Sequence, residues 1–131
     1  MHSARFEDVS LLVARLLVAI LFVGGALQKA FSPEDAMALL AAKGLPGVLV
    51  WPALVFNAVA AAALVLGLWL RPIGVLLALY CLFTSWFHCV PDDAWQMTIL
   101  VKNWAIAGGC LALAVAGAGR FAVAPRKNPP E

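Results

Sequence analysis

Charge is scarce in this chain. Of its 131 residues only 12% are Asp, Glu, Lys or Arg, against 64% hydrophobic residues, and the mean hydropathy is +0.95. Soluble domains carry about twice that share of charge, so a water-soluble fold is excluded for want of polar surface to cover it. The net charge of +2 is small and its residues are scattered. Without a basic stripe or interleaved basic and aromatic residues, nucleic acid is excluded as a partner. Cysteine is sparse as well. Cys81, Cys89 and Cys110 form no CxxC pair and no metal-ligand spacing, and an odd number leaves at least one thiol free or paired between chains. Neither a disulfide framework nor a metal site follows. Paired carboxylates and a nucleophile beside a base are missing too, so no catalytic residue is assigned, and an enzyme acting alone ranks behind other classes.

What the chain has in abundance is long apolar runs. Residues 9–31, 48–70, 73–90 and 97–118 each approach the roughly 20 residues needed to cross a hydrocarbon core about 30 Å thick. The first run is too long for a secretory signal, contains Arg15 and Lys29, and lacks a small-residue cleavage site after its apolar centre. In lipid each span must close its own backbone hydrogen bonds, and runs without alternation do not suit barrel strands. The expected fold is therefore all-α: a polytopic membrane protein built as a four-transmembrane-helix bundle.

Turn chemistry marks the breaks, at Ser32-Pro33-Glu34-Asp35, Lys43-Gly44-Leu45-Pro46-Gly47, Arg71-Pro72 and Pro91-Asp92-Asp93. Ser32 offers a hydroxyl cap, followed by proline in the first turn and acids at the positive end of the dipole, which predicts a short interfacial helix between the first two spans, stopping at Gly44. Residues 1–124 read as a single transmembrane domain. Residues 125–131, with three prolines and three charges, read as a disordered tail.

Counting bases in the connections gives an orientation. With four crossings, one side holds Arg5, Arg71, Arg120, Arg126 and Lys127, while the other holds Lys43 and the acids Glu34, Asp35, Asp92 and Asp93. The positive-inside rule places both termini in the cytoplasm. Trp51, Trp86 and Trp95 then fall near the outer interface and Trp69 near the inner one, with Trp104 deeper.

This topology gathers polar residues at one depth. Gln28 and Lys29 come from the first span, Asn57 from the second, Thr84, Ser85 and His88 from the third, and Lys102 and Asn103 from the fourth. A charge at the membrane centre costs roughly 2.5 to 3.5 kcal/mol even on the lenient insertion scale, which turns such groups inward or out to an interface. Helical phase favours an interior face: Arg15 and Lys29 lie within about 40° of each other, and Cys81 and His88 within about 20°. Lys29 either snorkels or joins a site. Arg15 suits tying helices together, Gln28 counts with it as structural, and Asn57 suits interhelical bridging or a ligand contact. His88 can carry a proton and Lys102 can compensate a developing anion, equipment suited to a quinone-like carbonyl, while a satisfied interfacial histidine is the competing reading. Cys89 reads as an inert thiol. The candidate ligand-binding set is thus Lys29, Asn57, His88, Lys102 and Asn103, with Phe22, Trp86 and Trp104 expected to wall a small outer cavity. Ala58 with Ala62, and Gly108 with Ala112 and Ala116, form small-residue surfaces that suit close helix packing.

The run Leu11-Leu12-Val13-Ala14-Arg15-Leu16-Leu17, followed by Phe22-Val23-Gly24-Gly25-Ala26-Leu27-Gln28-Lys29-Ala30-Phe31, resembles the opening helix of DoxX-family membrane proteins. Lys43-Gly44-Leu45-Pro46, the segment from Leu64 to Arg71, Leu100-Val101-Lys102-Asn103-Trp104 and Gly117-Ala118-Gly119-Arg120-Phe121 are similar to later parts of that family. The resemblance implies a four-helix bundle in a prokaryotic plasma membrane and links to quinone-dependent thiosulfate oxidation and redox-stress complexes. Many members have a glutamate where Asn57 aligns, a departure that bears on any proton chemistry. The expected role is an accessory subunit of a quinone-linked or redox-stress oxidoreductase system at the outer face, with quinone as the cofactor candidate and a redox partner protein or a second copy of the chain as candidate partners. A small-molecule transporter is the alternative, weakened by the absence of mid-span prolines and of polar groups along the whole path.

Overall fold

The computed structural model describes residues 2–124; the tail at 125–131 lies outside the described residues. The described chain forms α1 (His2–Phe31), α2 (Pro33–Ala42), α3 (Val50–Leu66), α4 (Leu70–Ser85) and α5 (Ala94–Ala116), with single 3-10 turns at Gly47–Leu49 and Trp86–His88 and no strand. Four helical segments are long and apolar enough to cross a membrane: α1, α3 with its leading turn, α4 with its trailing turn, and α5. The short α2 sits between the first two, as expected.

In the bundle, α1 packs principally on α3 and α4 on α5, while α1 also touches α5 and α3 touches α4. The four spans therefore form a ring in the order α1, α3, α4, α5. The core is small-residue rich: Ala19 and Phe22 of α1 meet Ala60, Ala61 and Leu64 of α3, and Leu77, Ala78 and Cys81 of α4 meet Ala107, Cys110 and Leu113 of α5. Outward faces carry large apolar side chains such as Leu17, Ile20, Val55, Val59, Leu79 and Val115. That inversion of the soluble pattern suits a chain whose surface faces lipid.

Several boundaries differ from the sequence reading. The break between the second and third spans is at Gly67 to Trp69, because Gly67 ends α3 in the left-handed region at φ 74°. Pro72 falls inside the first turn of α4, where its missing N–H costs nothing. Pro33 begins α2 as expected, but Ser32 makes no side-chain cap. Asp93 does cap α5, its Oδ1 accepting from the N–H groups of Trp95 and Gln96 at 3.0 and 3.2 Å.

The small-residue surfaces also lie elsewhere than expected. Ala58, Ala62, Gly108, Ala112 and Ala116 are all exposed, because the phase of α5 is set by Ala107, Cys110, Leu113 and Ala114, which turn inward. Close approach occurs instead at Gly74, where an added Cβ would come within 2.6 Å of the Cys110 carbonyl.

Candidate polar site inside the bundle

Positions on α1 that recur every three or four residues turn inward: Arg15, Ala19, Phe22 and Ala26 are buried, and Lys29 follows as half-buried. Its Nζ donates to the Gly25 carbonyl at 3.3 Å. Facing it, Asn57 of α3 is only 2% exposed. With its amide oxygen turned to the ammonium, Asn57 accepts from Lys29 Nζ at 3.2 Å, while its NH2 donates to the Ala53 carbonyl at 3.2 Å and to Tyr80 Oη at 3.3 Å. Three helices are thereby joined through one amide. Gly25 makes the approach feasible, since a Cβ there would lie 2.7 Å from the terminal atom of the Asn57 amide that faces Lys29.

Aromatic rings surround this network. Tyr80 packs edge-on against Phe22, with centroids 6.4 Å apart, and against Phe56 at 5.1 Å. The result is an ammonium, an amide and a phenol in apolar surroundings, able to donate to a carbonyl or to one another. Tyr80 did not feature in the sequence reading. It is the chain's one tyrosine, placed one turn before Thr84 on the inward stripe, and that phase was the available signal.

The remaining candidates divide. On the α4 and α5 side, Asn103 Nδ2 donates to Thr84 Oγ1 at 3.4 Å, and the hydroxyls of Thr84 and Ser85 donate to the Cys81 carbonyl at 3.2 and 2.7 Å. His88 Nδ1 lies 2.7 Å from Gln96 Oε1, a contact made when the ring proton is on Nδ1. Gln96 was also missed, although Asp93-Ala94-Trp95-Gln96 has the spacing of a capping box.

Lys102 does not join this group. It is exposed, and its Nζ sits over the Trp95 ring, 5.5 Å from the centroid. His88 and Lys102 are consequently not a pair, because the inward phase of α5 runs through Asn103 and Ala107 rather than through Lys102. Gln28 is exposed too. Trp86 and Trp104 are 47% and 57% exposed and do not join Phe22 in the interior; the rings packed there with Phe22 are Tyr80 and, through it, Phe56. Instead, Trp86 lies under the Lys43 ammonium at 5.4 Å, which ties the end of α2 to the C-terminal end of α4.

Arg15, at the other end of α1, is fully buried. Its guanidinium donates to the Leu64 carbonyl at 3.3 Å and to the Phe121 carbonyl, while Nε has no partner among the described residues. A cation at the carboxyl end of α3 also complements the negative pole of that helix. Among the described residues no group of three or more His, Cys, Asp or Glu side chains could hold a metal ion, and all three cysteines are free.

Four membrane-length helices in a ring, three of them joined inside by a lysine, an amide and a phenol, define a small polytopic membrane protein with a buried polar core. The family model for DoxX matches residues 10–89, and the chain belongs to the DoxX family. It is similar to the inner membrane protein YqjF of Escherichia coli K12, at 28% identity over 91% of this chain and 92% of the relative. Similarity to the inner membrane protein YphA of the same organism is 30%, over 94% of this chain and 98% of that protein. No solved structure matches the chain.

Proposed function

We propose that this DoxX-family membrane protein is an accessory subunit of a quinone-linked or redox-stress oxidoreductase system in a prokaryotic plasma membrane. Both termini lie in the cytoplasm, and the outer half of the bundle receives a quinone headgroup or a similar oxidised carbonyl compound. The observation that carries the reading is the Lys29, Asn57 and Tyr80 network beside Phe22 and Phe56. Ligand sites of this kind are mostly apolar with a few placed donors, and an ammonium and a phenol are suitable donors to a quinone oxygen. We assign His88 and Asn103 as secondary contacts, whereas Lys102, over Trp95, has no part in it.

The location is supported by both relatives being inner membrane proteins, and the orientation by Arg5, Arg71 and Arg120 gathering at the end opposite Glu34, Asp35, Asp92 and Asp93. Transport is the weaker reading, because carriers interrupt helices at mid-membrane and α1, α3, α4 and α5 run unbroken.

Binding of a quinone analogue to the purified protein, followed by equilibrium titration, tests the proposal. Lys29→Met and Tyr80→Phe should each weaken binding about tenfold, the loss of one charge-assisted or buried hydrogen bond, and Lys102→Ala should leave it unchanged. Absence of binding by the parent protein, or equal affinity in all three folded variants, would remove the quinone reading.

A further inference from the structure

The opposite end of the bundle carries a second feature, unrelated to the outer network. A half-open cleft of about 520 Å3 lies between the start of α1 and the segment following α5, lined by Ala4, Arg5, Asp8, Arg120 and Phe121. The 30 residues of α1 extend about 45 Å at 1.5 Å each, against a hydrocarbon core of about 30 Å. Lys29 and Phe31 mark the far boundary, so the surplus length falls on the first two to three turns. Those turns, and the cleft with them, stand at the depth of lipid headgroups.

The cleft has a fixed backbone and free cations. Arg120 uses its main-chain N–H to donate to Asp8 Oδ1 at 3.0 Å, and Arg15 holds the next residue from inside through the Phe121 carbonyl. Val123 N–H donates to the Leu66 carbonyl at 2.9 Å, fixing the same segment to the end of α3. Meanwhile Arg5 and Arg120 are both exposed, and among the described residues neither guanidinium has a hydrogen-bond or ion-pair partner. Asp8 is the opposing charge in the cleft, with one oxygen already engaged by the Arg120 N–H. Two guanidiniums against one occupied carboxylate leave a net positive site.

We propose that this cleft binds a phosphate group, supplied by an anionic phospholipid whose headgroup is held between Arg5 and Arg120. Guanidinium suits that chemistry, because its planar fork matches two phosphate oxygens. Phe121, which is half-exposed, and the flank of α1 then face the upper acyl chain. A lipid held there bridges the first turns of α1 to the C-terminal segment, adding an outer clamp to the inner one made by Arg15.

The test uses the full-length protein in mild detergent, with bound lipid read by native mass spectrometry during titration with phosphatidylglycerol, phosphatidylcholine or inorganic phosphate. Phosphatidylglycerol should be retained in preference to phosphatidylcholine. Arg5→Gln and Arg120→Gln should each weaken its retention about fivefold, the effect of roughly one arginine at an anionic lipid surface. Arg71→Gln removes the same charge from the same end of the bundle, but Arg71 does not line the cleft, and with its field screened by salt the substitution should change retention less than about twofold. Asp8→Asn, which keeps an acceptor for the Arg120 N–H, should tighten retention and supplies a readout that loss of folding cannot mimic. Equal losses in all three arginine variants would reduce the effect to diffuse surface charge and overturn the site. Displacement of the lipid by millimolar inorganic phosphate, with no preference between the two lipids, would overturn the phospholipid as its source.

Discussion

Arg15 and Phe121 are 106 residues apart in sequence, yet the Arg15 guanidinium donates to the Phe121 carbonyl. The same side chain reaches the Leu64 carbonyl at 3.3 Å, so one buried cation holds the end of α3 and the C-terminal segment together. Arg15→Leu should therefore lower stability by about 1.5 to 3 kcal/mol, the range for hydrogen bonds to a charged group. Arg15→Lys should recover only part of it, since an ammonium lacks the planar fork. Unfolding by increasing SDS fraction measures both. A lysine variant as stable as the parent would show that charge alone suffices.

Gly67 belongs to the same arrangement. It lies at φ 74°, and a Cβ there would collide with the Arg15 guanidinium and with Ala122. Gly67→Ala should cost at least about 1 kcal/mol from backbone strain alone. Gly24→Ala, where a Cβ would meet nothing within 4 Å, should change stability by less than about 1 kcal/mol. The same SDS titration compares them, and equal effects would contradict the close packing at Gly67.

The Lys29, Asn57 and Tyr80 network predicts coupling between helices. In a double-mutant cycle on Asn57→Leu and Tyr80→Phe, the interaction energy should be about 0.6 to 1.7 kcal/mol, the range for hydrogen bonds between membrane helices. Asn57→Asp should be tolerated while Lys29 is present to pair with the carboxylate, and should destabilise strongly in a Lys29→Met background. Additive losses in the first cycle would mean that the amide does not bridge α3 and α4.

The thiols give an independent check on packing. Cys81 and Cys110 are buried and Cys89 is exposed, so a maleimide should modify one equivalent in the folded protein and three after denaturation. Modification of more than one in the native state would show that the interface between α4 and α5 is open.

Cys89 also reports orientation. In the proposed orientation, with both termini in the cytoplasm, it faces outward, and an impermeant thiol reagent should reach it in intact cells. In a Cys89→Ser background, cysteine at Ser32 should react and cysteine at Asn128 should not. The reverse pattern would invert the assignment.

Some of the site was legible before folding and some was not. Arg15, Phe22 and Lys29 fall on one face of α1 because 3.6-residue periodicity requires it, and the same rule places Cys81 and Ser85 inward on α4. Lys102 was misplaced because it adjoins Asn103, and neighbours in a helix differ by about 100° in direction. Only the contact face of α5 with α4 decides which of the two turns in. Tyr80 and Gln96 escaped for a related reason, since each acquires its role from a partner on another helix.

The sequence by itself determined the class: four apolar runs of membrane length, a short helix after the first, and a family pattern from Arg15 to the Gly119-Arg120 ending. Those features are local or additive, since span length and hydropathy act through transfer to lipid whichever helix lies alongside. Tertiary structure decided the rest. The ring order of the helices, the bridge through Asn57, the burial of Arg15 against Leu64 and Phe121, and the cleft between Arg5 and Arg120 all depend on which faces meet. In lipid that choice rests on close packing and hydrogen bonds between helices rather than on hydrophobic burial, so hydropathy carries no record of it.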